Sequence, residues 1–393
     1  MHPTSDADPF SAAYFDDPFP VQAALRDAGP VVRLTRYGIW AVARHAEVRA
    51  MLMDWRTYCS SRGVGLSDFA REKPWRTPSL LLEADPPQHG RARTVLARVL
   101  SAAPLARLQD RMTAAADALV DRLLELQEFD GVTDVAEAFP MQVFPDAVGL
   151  PRDGRENLLP YGSTVFNVFG PRNALFDAAV RDAAPLNGWV AWACRRENLV
   201  PGGFGAEIHA AADAGELTAE EAPMVVRSLL TAGVDTTVSG IGAALHCLAR
   251  NPGQWALLRA DPGLARPGFE EALRYETPVQ TFFRTVSGGA TLGGVPMADG
   301  DKVLMLLHAA NRDPRKWEDP DSYNITRRTA GHVAYGTGIH VCVGMPLARM
   351  EGEAVLGAMA RRIGTLEMAG EPVRRHNNTL RSLSSLLLRV TPG

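Results

Sequence analysis

Apolar residues recur at three- and four-residue intervals along most of the chain, which predicts a mostly helical protein. The spacing predicts an amphipathic helix over Leu105 to Leu126 and a longer one over Ala219 to Arg250. Thr218 and Glu221 have the spacing of a capping box at the start of the second helix, and Asn251-Pro252 ends it. At 1.5 Å per residue that helix would span roughly 45–50 Å, enough to cross a domain. Pro151, Pro160, Pro171 and Pro185 punctuate a run of shorter helices. Two apolar strands around Arg36-Tyr37-Gly38 read as a hairpin between Val31 and His45. Beyond Pro320 the chain turns irregular and glycine-rich before a last helix over about Met345 to Ile363. No repeat or low-complexity linker divides the chain. We therefore expect a mostly α fold with a small β region, one domain over 1–393, with 1–18 loosely ordered.

The composition is that of an ordinary globular protein, with 46% hydrophobic and 22% charged residues. A net charge of −4 and no block of like charge argue against a nucleic-acid partner. Met1 to Phe10 is polar and acidic, unlike a signal peptide, and the longest charge-free helical segment lies between Asp235 and Arg250. That is far short of a membrane span, so a cytoplasmic protein is expected. The four cysteines form no paired spacing, and a buried, inert thiol is the default for Cys59, Cys194 and Cys247.

Cys342 stands apart. In Tyr335-Gly336-Thr337-Gly338-Ile339-His340-Val341-Cys342-Val343-Gly344, three glycines make a tight loop and a helix begins at once. Backbone N–H groups and the positive helix end favour a thiolate there, as a metal ligand or a nucleophile. The stretch resembles the haem-binding signature of cytochromes P450, F-x-x-G-x-H-x-C-x-G, except that Tyr335 stands in place of the phenylalanine. The resemblance implies haem b held by the Cys342 thiolate, with O2 as co-substrate. The extra hydroxyl of Tyr335 needs a partner.

Three further motifs follow the family's order. Gly233-Val234-Asp235-Thr236-Thr237 sits mid-helix, where glycine costs about 1 kcal/mol relative to alanine, and suggests a distorted turn facing a ligand. It resembles the oxygen-activation motif, in which the acid and the threonine relay protons; that would make Asp235 and Thr236 catalytic. Glu271 and Arg274 resemble the family's structural E-x-x-R pair, and His89 and Arg93, one helical turn apart, resemble its H-x-x-x-R motif. With Arg284 and His340 the latter would bind the two haem propionates. The resemblance runs from about residue 20 to the end of the chain. It implies a triangular helical prism with haem between the long central helix and the helix of the cysteine ligand.

For the substrate, Ser228, Ala232 and Thr236 recur every fourth residue, so Ser228 would lie roughly 12 Å from Thr236. Arg227 is beside it, and Arg76 and Ser79 lie in a second segment; together they could hold a carboxylate. Phe166, Phe169, Val279 and Phe282 fall where the family's pocket is lined and suit an aromatic ring. Residues 60–69, Leu82 to Pro87, Val279 to Arg284 and Asn377 to Arg381 also resemble the bacterial 4-methoxybenzoate O-demethylating subgroup. There, residues matching Arg76, Ser79, Arg227 and Ser228 hold the benzoate carboxylate; Leu82 and Thr231 join the expected contacts, Thr231 where the subgroup has serine. The expected reaction is O-demethylation of a para-substituted benzoic acid. The alternatives are hydroxylation of a terpene or polyketide, a peroxygenase, or a haem sensor or carrier without turnover.

The chain has no flavin, nicotinamide or iron–sulfur fingerprint, so its electrons must come from outside. The resemblance implies a [2Fe–2S] ferredoxin with an NAD(P)H-dependent reductase, docking near Cys342 with Arg91, Arg98 and Arg349 as candidate contacts; a monomer is expected.

Overall fold

A computed structural model describes residues 2–393. The hairpin forms, and it is built into a six-stranded sheet of β1 (Thr4–Ser5), β2 (Val32–Leu34), β3 (Ile39–Val42), β4 (Tyr58–Cys59), β5 (Thr281–Val286) and β6 (Lys302–Leu306). Their spatial order is β1-β2-β3-β6-β5-β4. The β1–β2 and β3–β6 pairs are parallel and the rest antiparallel. Every residue of β3 and β6 is buried, which their near-continuous apolar runs require. Val42, Val303 and Met305 face one apolar cluster and Leu34, Ile39, Phe283, Leu304 and Leu306 another.

The expectation of a loosely ordered 1–18 segment needs correction. Thr4–Ser5 pairs with β2, and Phe10, Tyr14 and Phe15 are buried against the sheet. Three aromatic rings among polar neighbours outweigh the polar composition of the segment as a whole.

Helices make up most of the remainder, chiefly α1 (Gln88–Val99), α2 (Gln109–Leu126), α3 (Leu158–Val168), α4 (Glu221–Ala232), α5 (Asp235–Arg250), α6 (Ala265–Glu276) and α7 (Met345–Arg362). The helix predicted over 105–126 starts later, at Gln109, after a short separate helix at Ala102–Ala106. The long helix predicted over 219–250 is two helices, α4 and α5, parted at Gly233-Val234. Its capping box forms as predicted: the Thr218 N–H donates to Glu221 Oε2 at 2.9 Å and the Glu221 N–H to Thr218 Oγ1 at 3.2 Å. Helix α5 is buried on nearly all sides, and the Phe269 ring of α6 is wedged between Gly240 of α5 and Gly352 of α7. Removing that ring would cost about 3–5 kcal/mol, because neither glycine offers a side chain to refill the space. No helix of the described residues is long and apolar enough to cross a membrane.

Candidate active site

Between α4/α5 and the loop before α7 lies a large cavity, with about 1670 Å³ free of protein atoms, part of it open to solvent. Its floor is the cysteine loop. The Cys342 N–H donates to Tyr335 O at 2.8 Å, which closes the loop. Gly338, at φ +72°, has Leu52 O only 2.4 Å from where a Cβ would sit, so no other residue fits there. Cys342 lies deep in the molecule, yet its side chain is open to the cavity. Burial pushes its thiol pKa up, while the Gly344 N–H, the Arg93 guanidinium and the Met345 N–H oppose that rise. The Tyr335 ring also lines the cavity, with the Arg349 guanidinium 5.3 Å from its centroid. The partner expected for its hydroxyl is not there: the group is buried and unbonded, and burial holds its pKa well above the ordinary value.

His89, Arg93, Arg284 and His340, distant in sequence, line the same cavity. Strand alternation places Phe282 and Arg284 on its cavity side while Phe283 turns into the core. Arg284 is fully buried with one hydrogen bond, to Phe283 O at 2.9 Å, and burial lowers its pKa to about 10. Burial, then the His340 ring 4.5 Å away, lowers His89 to about 4. His340 Nε2 has no hydrogen-bond partner, and Asp85, its nearest carboxylate at 3.7 Å, is already bonded to the Ser60 and Ser61 N–H groups. Arg93 donates to Val341 O within the cysteine loop. A buried, under-partnered basic set beside a cavity-facing thiol fits a haem, whose two propionates would supply the missing acceptors.

On the opposite wall, Ala232 and Thr236 flank the break between α4 and α5 and face the cavity. The Thr236 hydroxyl donates to Ala232 O at 2.7 Å. Asp235 points elsewhere: its carboxyl faces a second, narrow void bounded by Ser163, Ser239, Arg375 and Asn377. That is room for about one water. Asp235 Oδ2 has no partner, and burial raises the carboxyl pKa to about 8. Acid and alcohol thus lie back to back, one on each side of the helix start.

Of the expected substrate contacts, Arg76, Ser79, Leu82, Phe166, Ser228, Thr231, Ala232, Val279 and Phe282 line the cavity. Arg227 and Phe169 do not line it. Arg227 Nη2 is held by the loop, donating to Thr77 O at 2.8 Å and Pro78 O at 3.2 Å, while its Nε is buried without a partner. Phe169 stands behind the wall, its ring 5.9 Å from those of Phe166 and Phe282. The Thr231 hydroxyl is engaged with Arg227 O at 3.0 Å and Tyr161 OH at 3.3 Å. Ser79 and Ser228 join their hydroxyls at 3.2 Å. The Arg76 side chain is 6% exposed, yet none of its three nitrogens has a hydrogen-bond partner. Its nearest acid, Glu83, sits 3.5 Å away and is held by the Ser79 N–H at 2.8 Å. Glu83 was missed by the sequence reading; no local pattern marks it except its position four residues after Ser79.

Beneath the floor, Arg274 and Glu271 make a bidentate pair at 2.8 Å with both side chains fully buried. Arg274 also donates to Asn311 O and Pro320 O, and Glu271 accepts from the Asn324 N–H and Arg327, so the pair pins the irregular 311–327 segment. A second missed acid is Glu351 on α7, fully buried with both oxygens unbonded, its pKa raised by burial to about 8. A glutamate on a helix is exposed by default, so nothing in the sequence marked it. The three arginines proposed for docking are already paired, Arg91 with Glu221, Arg98 with Glu216 and Arg349 with Glu270.

Comparison with known proteins decides the family. Cytochrome p450 CYP199A2 of Rhodopseudomonas palustris is 59% identical over 387 residues, covering 98% of this chain and 94% of that protein. The chain is a cytochrome P450. The profile of the Cytochrome P450 family matches residues 267–386, which include the Glu271–Arg274 pair and the cysteine loop. The vitamin D(3) 25-hydroxylase of Pseudonocardia autotrophica is 30% identical, covering 99% of this chain and 98% of that protein. The solved structure of cytochrome P450 CYP109Q5 from Chondromyces apiculatus superposes with a TM-score of 0.83 at 30% identity, covering the whole of both chains. Cytochromes P450 are haem-thiolate monooxygenases that use haem b and O2 and draw electrons from redox partners, and this P450 is such an enzyme.

Proposed function

We propose that this P450 demethylates 4-methoxybenzoate, giving 4-hydroxybenzoate and formaldehyde. The observation that carries the reading is the Arg76 guanidinium, buried in the cavity wall without a single hydrogen bond and with Glu83 3.5 Å away as its one ion-pair partner. Two buried arginines, Arg76 and Arg227, face one carboxylate, Glu83, and the excess positive charge calls for one anion. A small aromatic acid supplies it. Its carboxylate accepts from Arg76, and the Ser79 and Ser228 hydroxyls rotate toward it; Arg227 holds the loop that carries Arg76. Phe166, Val279 and Phe282 give the ring flat apolar walls, so the para substituent is the end left to face the floor.

In this reading Cys342 ligates the iron, and His89, Arg93, Arg284 and His340 hold the propionates. The bound haem supplies the oxidation that places one atom of O2 on the methyl carbon while the other leaves as water. The hydroxylated methoxy carbon then departs as formaldehyde. The reaction consumes two electrons and two protons. Below about pH 8 the Asp235 carboxyl carries a proton, and the void behind it admits a water to reload it. For that proton to reach the cavity the Asp235 carboxyl must turn out of its void, and Thr236, on the cavity side of the same helix start, would then pass it inward. The electrons come from a [2Fe–2S] ferredoxin and its NAD(P)H-dependent reductase, one at a time. Arg91, Arg98 and Arg349 would meet the ferredoxin's acids by giving up or sharing their present partners Glu221, Glu216 and Glu270.

The test is a titration of the ferric Soret band with 4-methoxybenzoate, and with its methyl ester as control. A high-spin shift with the acid and little with the ester is expected. No shift with either ligand removes the benzoate reading and leaves the monooxygenase standing.

A further inference from the structure

Only three of the 41 basic residues are lysines, and one of them, Lys302, is buried. Burial lowers its pKa to about 7, and below that pH its ammonium, at the start of β6, donates to three backbone carbonyls: Arg62 at 3.2 Å, Gly63 at 3.0 Å and Gly65 at 3.0 Å. Three oxygens converging on one point suit a compact tripod of N–H donors and not the flat fork of arginine. That explains a lysine in a chain that otherwise favours arginine. The Arg62 side chain takes no part in this cage, being paired with Asp68 at 3.0 Å through Nε.

The caged loop reaches the active site through two direct contacts. The Leu66 N–H donates to Phe169 O at 2.9 Å, and Gly65 lies so close that a Cβ would fall 2.7 Å from Phe169 Cα. On its other side the Phe283 N–H donates to Val64 O at 2.9 Å, which ties the same loop to β5 beside Phe282. Phe169 in turn backs Phe166 and Phe282, the cavity's aromatic walls. A line of contacts therefore runs from one buried ammonium to both walls.

We propose that Lys302 is a positioning residue for substrate: a tethered cation inside loop 62–66 that sets the spacing of the aromatic walls through Phe169. The inference rests on the benzoate reading for its substrate arm, but not for its structural arm. Without the ammonium, three carbonyls are left facing one another in a site closed to solvent, and the loop must open to hydrate them. The walls then lose their backing and the ligand leaves faster.

The test compares the haem-loaded wild type with Lys302→Ala, with and without propylammonium chloride, which restores the missing ammonium and its stem. Amide hydrogen exchange over residues 63–69 should quicken about tenfold or more in Lys302→Ala. The dissociation rate of 4-methoxybenzoate, followed by the Soret shift, should rise by a similar factor, raising KM more than it lowers kcat. Propylammonium should reverse both changes, and sodium chloride at equal ionic strength should reverse neither. Exchange at the wild-type rate overturns the proposal, as does a faster exchange that propylammonium fails to slow. Should Lys302→Ala not load haem, Lys302→Gln, one atom shorter and with two N–H donors in place of the ammonium, carries the same exchange comparison. If the wild type itself shows no Soret shift with the acid, the benzoate reading falls, and the exchange arm still decides the role of Lys302.

Discussion

Replacing Arg76 by methionine isolates the interaction on which the substrate reading depends. Methionine keeps a flexible stem of similar girth, so the packing against Trp75, now 5.5 Å from the guanidinium, is largely retained. What goes is a buried cation whose three nitrogens make no hydrogen bond within the protein and whose one ion pair, with Glu83, is 3.5 Å long. A charge-assisted hydrogen bond contributes about 1.5–3 kcal/mol, and breaking a buried pair costs about 3–5 kcal/mol. Arg227 does not line the cavity and its Nη2 is committed to Thr77 O and Pro78 O, so it compensates poorly. Glu83 keeps its bond from the Ser79 N–H, and with no arginine beside it now repels an incoming carboxylate. A net loss of roughly 3 kcal/mol corresponds to about a 100-fold rise in Kd for 4-methoxybenzoate. The assay is the Soret titration of wild type and Arg76→Met with the acid and with its methyl ester. The ester carries no charge, so its Kd should stay within about threefold of wild type. Equal weakening of acid and ester would mean a collapsed wall instead of a lost cation. An acid Kd unchanged by the substitution would refute the carboxylate assignment outright.

Asp235→Asn should leave the substrate-induced Soret shift intact, slow product formation by about tenfold or more, and raise the solvent isotope effect on turnover, since it removes a titrating group and not a ligand contact. Glu351, raised to about 8 by burial, is protonated in the folded state below that pH. Its contribution to stability is therefore full below its unfolded pKa and lost as pH rises toward 8, so Glu351→Gln should raise Tm clearly at about pH 8.5 and little at about pH 4.5 in thermal scans. Arg274→Leu would leave Glu271 buried without its bidentate partner, a cost of about 3–5 kcal/mol, and should yield protein with little bound haem by absorbance.

The motifs most legible in the sequence are those whose members are neighbours along the chain. His89 and Arg93 share a helical face, Glu271 and Arg274 lie within one turn, and the cysteine loop is contiguous. Features set by distant backbone were not legible. The split of the long helix at Gly233-Val234 hinges on space between α4, α5 and their neighbours, although the glycine and the mediocre helix formers after it signalled distortion. Asp235 and Thr236 are adjacent, so the sequence could not tell that one carboxyl turns to a separate void while the next hydroxyl faces the main cavity. The N-terminal segment misled because its aromatic residues find partners that are remote in sequence; Phe10 stacks near Phe283, 6.2 Å away.

The sequence reading gave Arg76 and Arg227 one role, and the structure gives them opposite ones, for a reason that reaches the whole cavity. A guanidinium that finds carbonyl oxygens is satisfied and becomes part of the scaffold; one that finds none remains a cation in want of an anion. Arg227 Nη2 meets the carbonyls of Thr77 and Pro78, leaving its buried Nε without a partner, while Arg76 meets no carbonyl and has Glu83 Oε2 3.5 Å from its Nη2. The same distinction holds near the floor. Arg93 has a carbonyl, that of Val341, whereas Arg284 has only its own neighbour's and His340 Nε2 has none. Unmet donors thus gather at two places in one cavity, beside the cysteine and beneath the 76–79 loop. Each leaves a desolvation cost that only a bound anion offsets. In the proposed reading the haem propionates would meet the first requirement, and a carboxylate on the substrate, carried at the end of a ring opposite the reacting carbon, would meet the second.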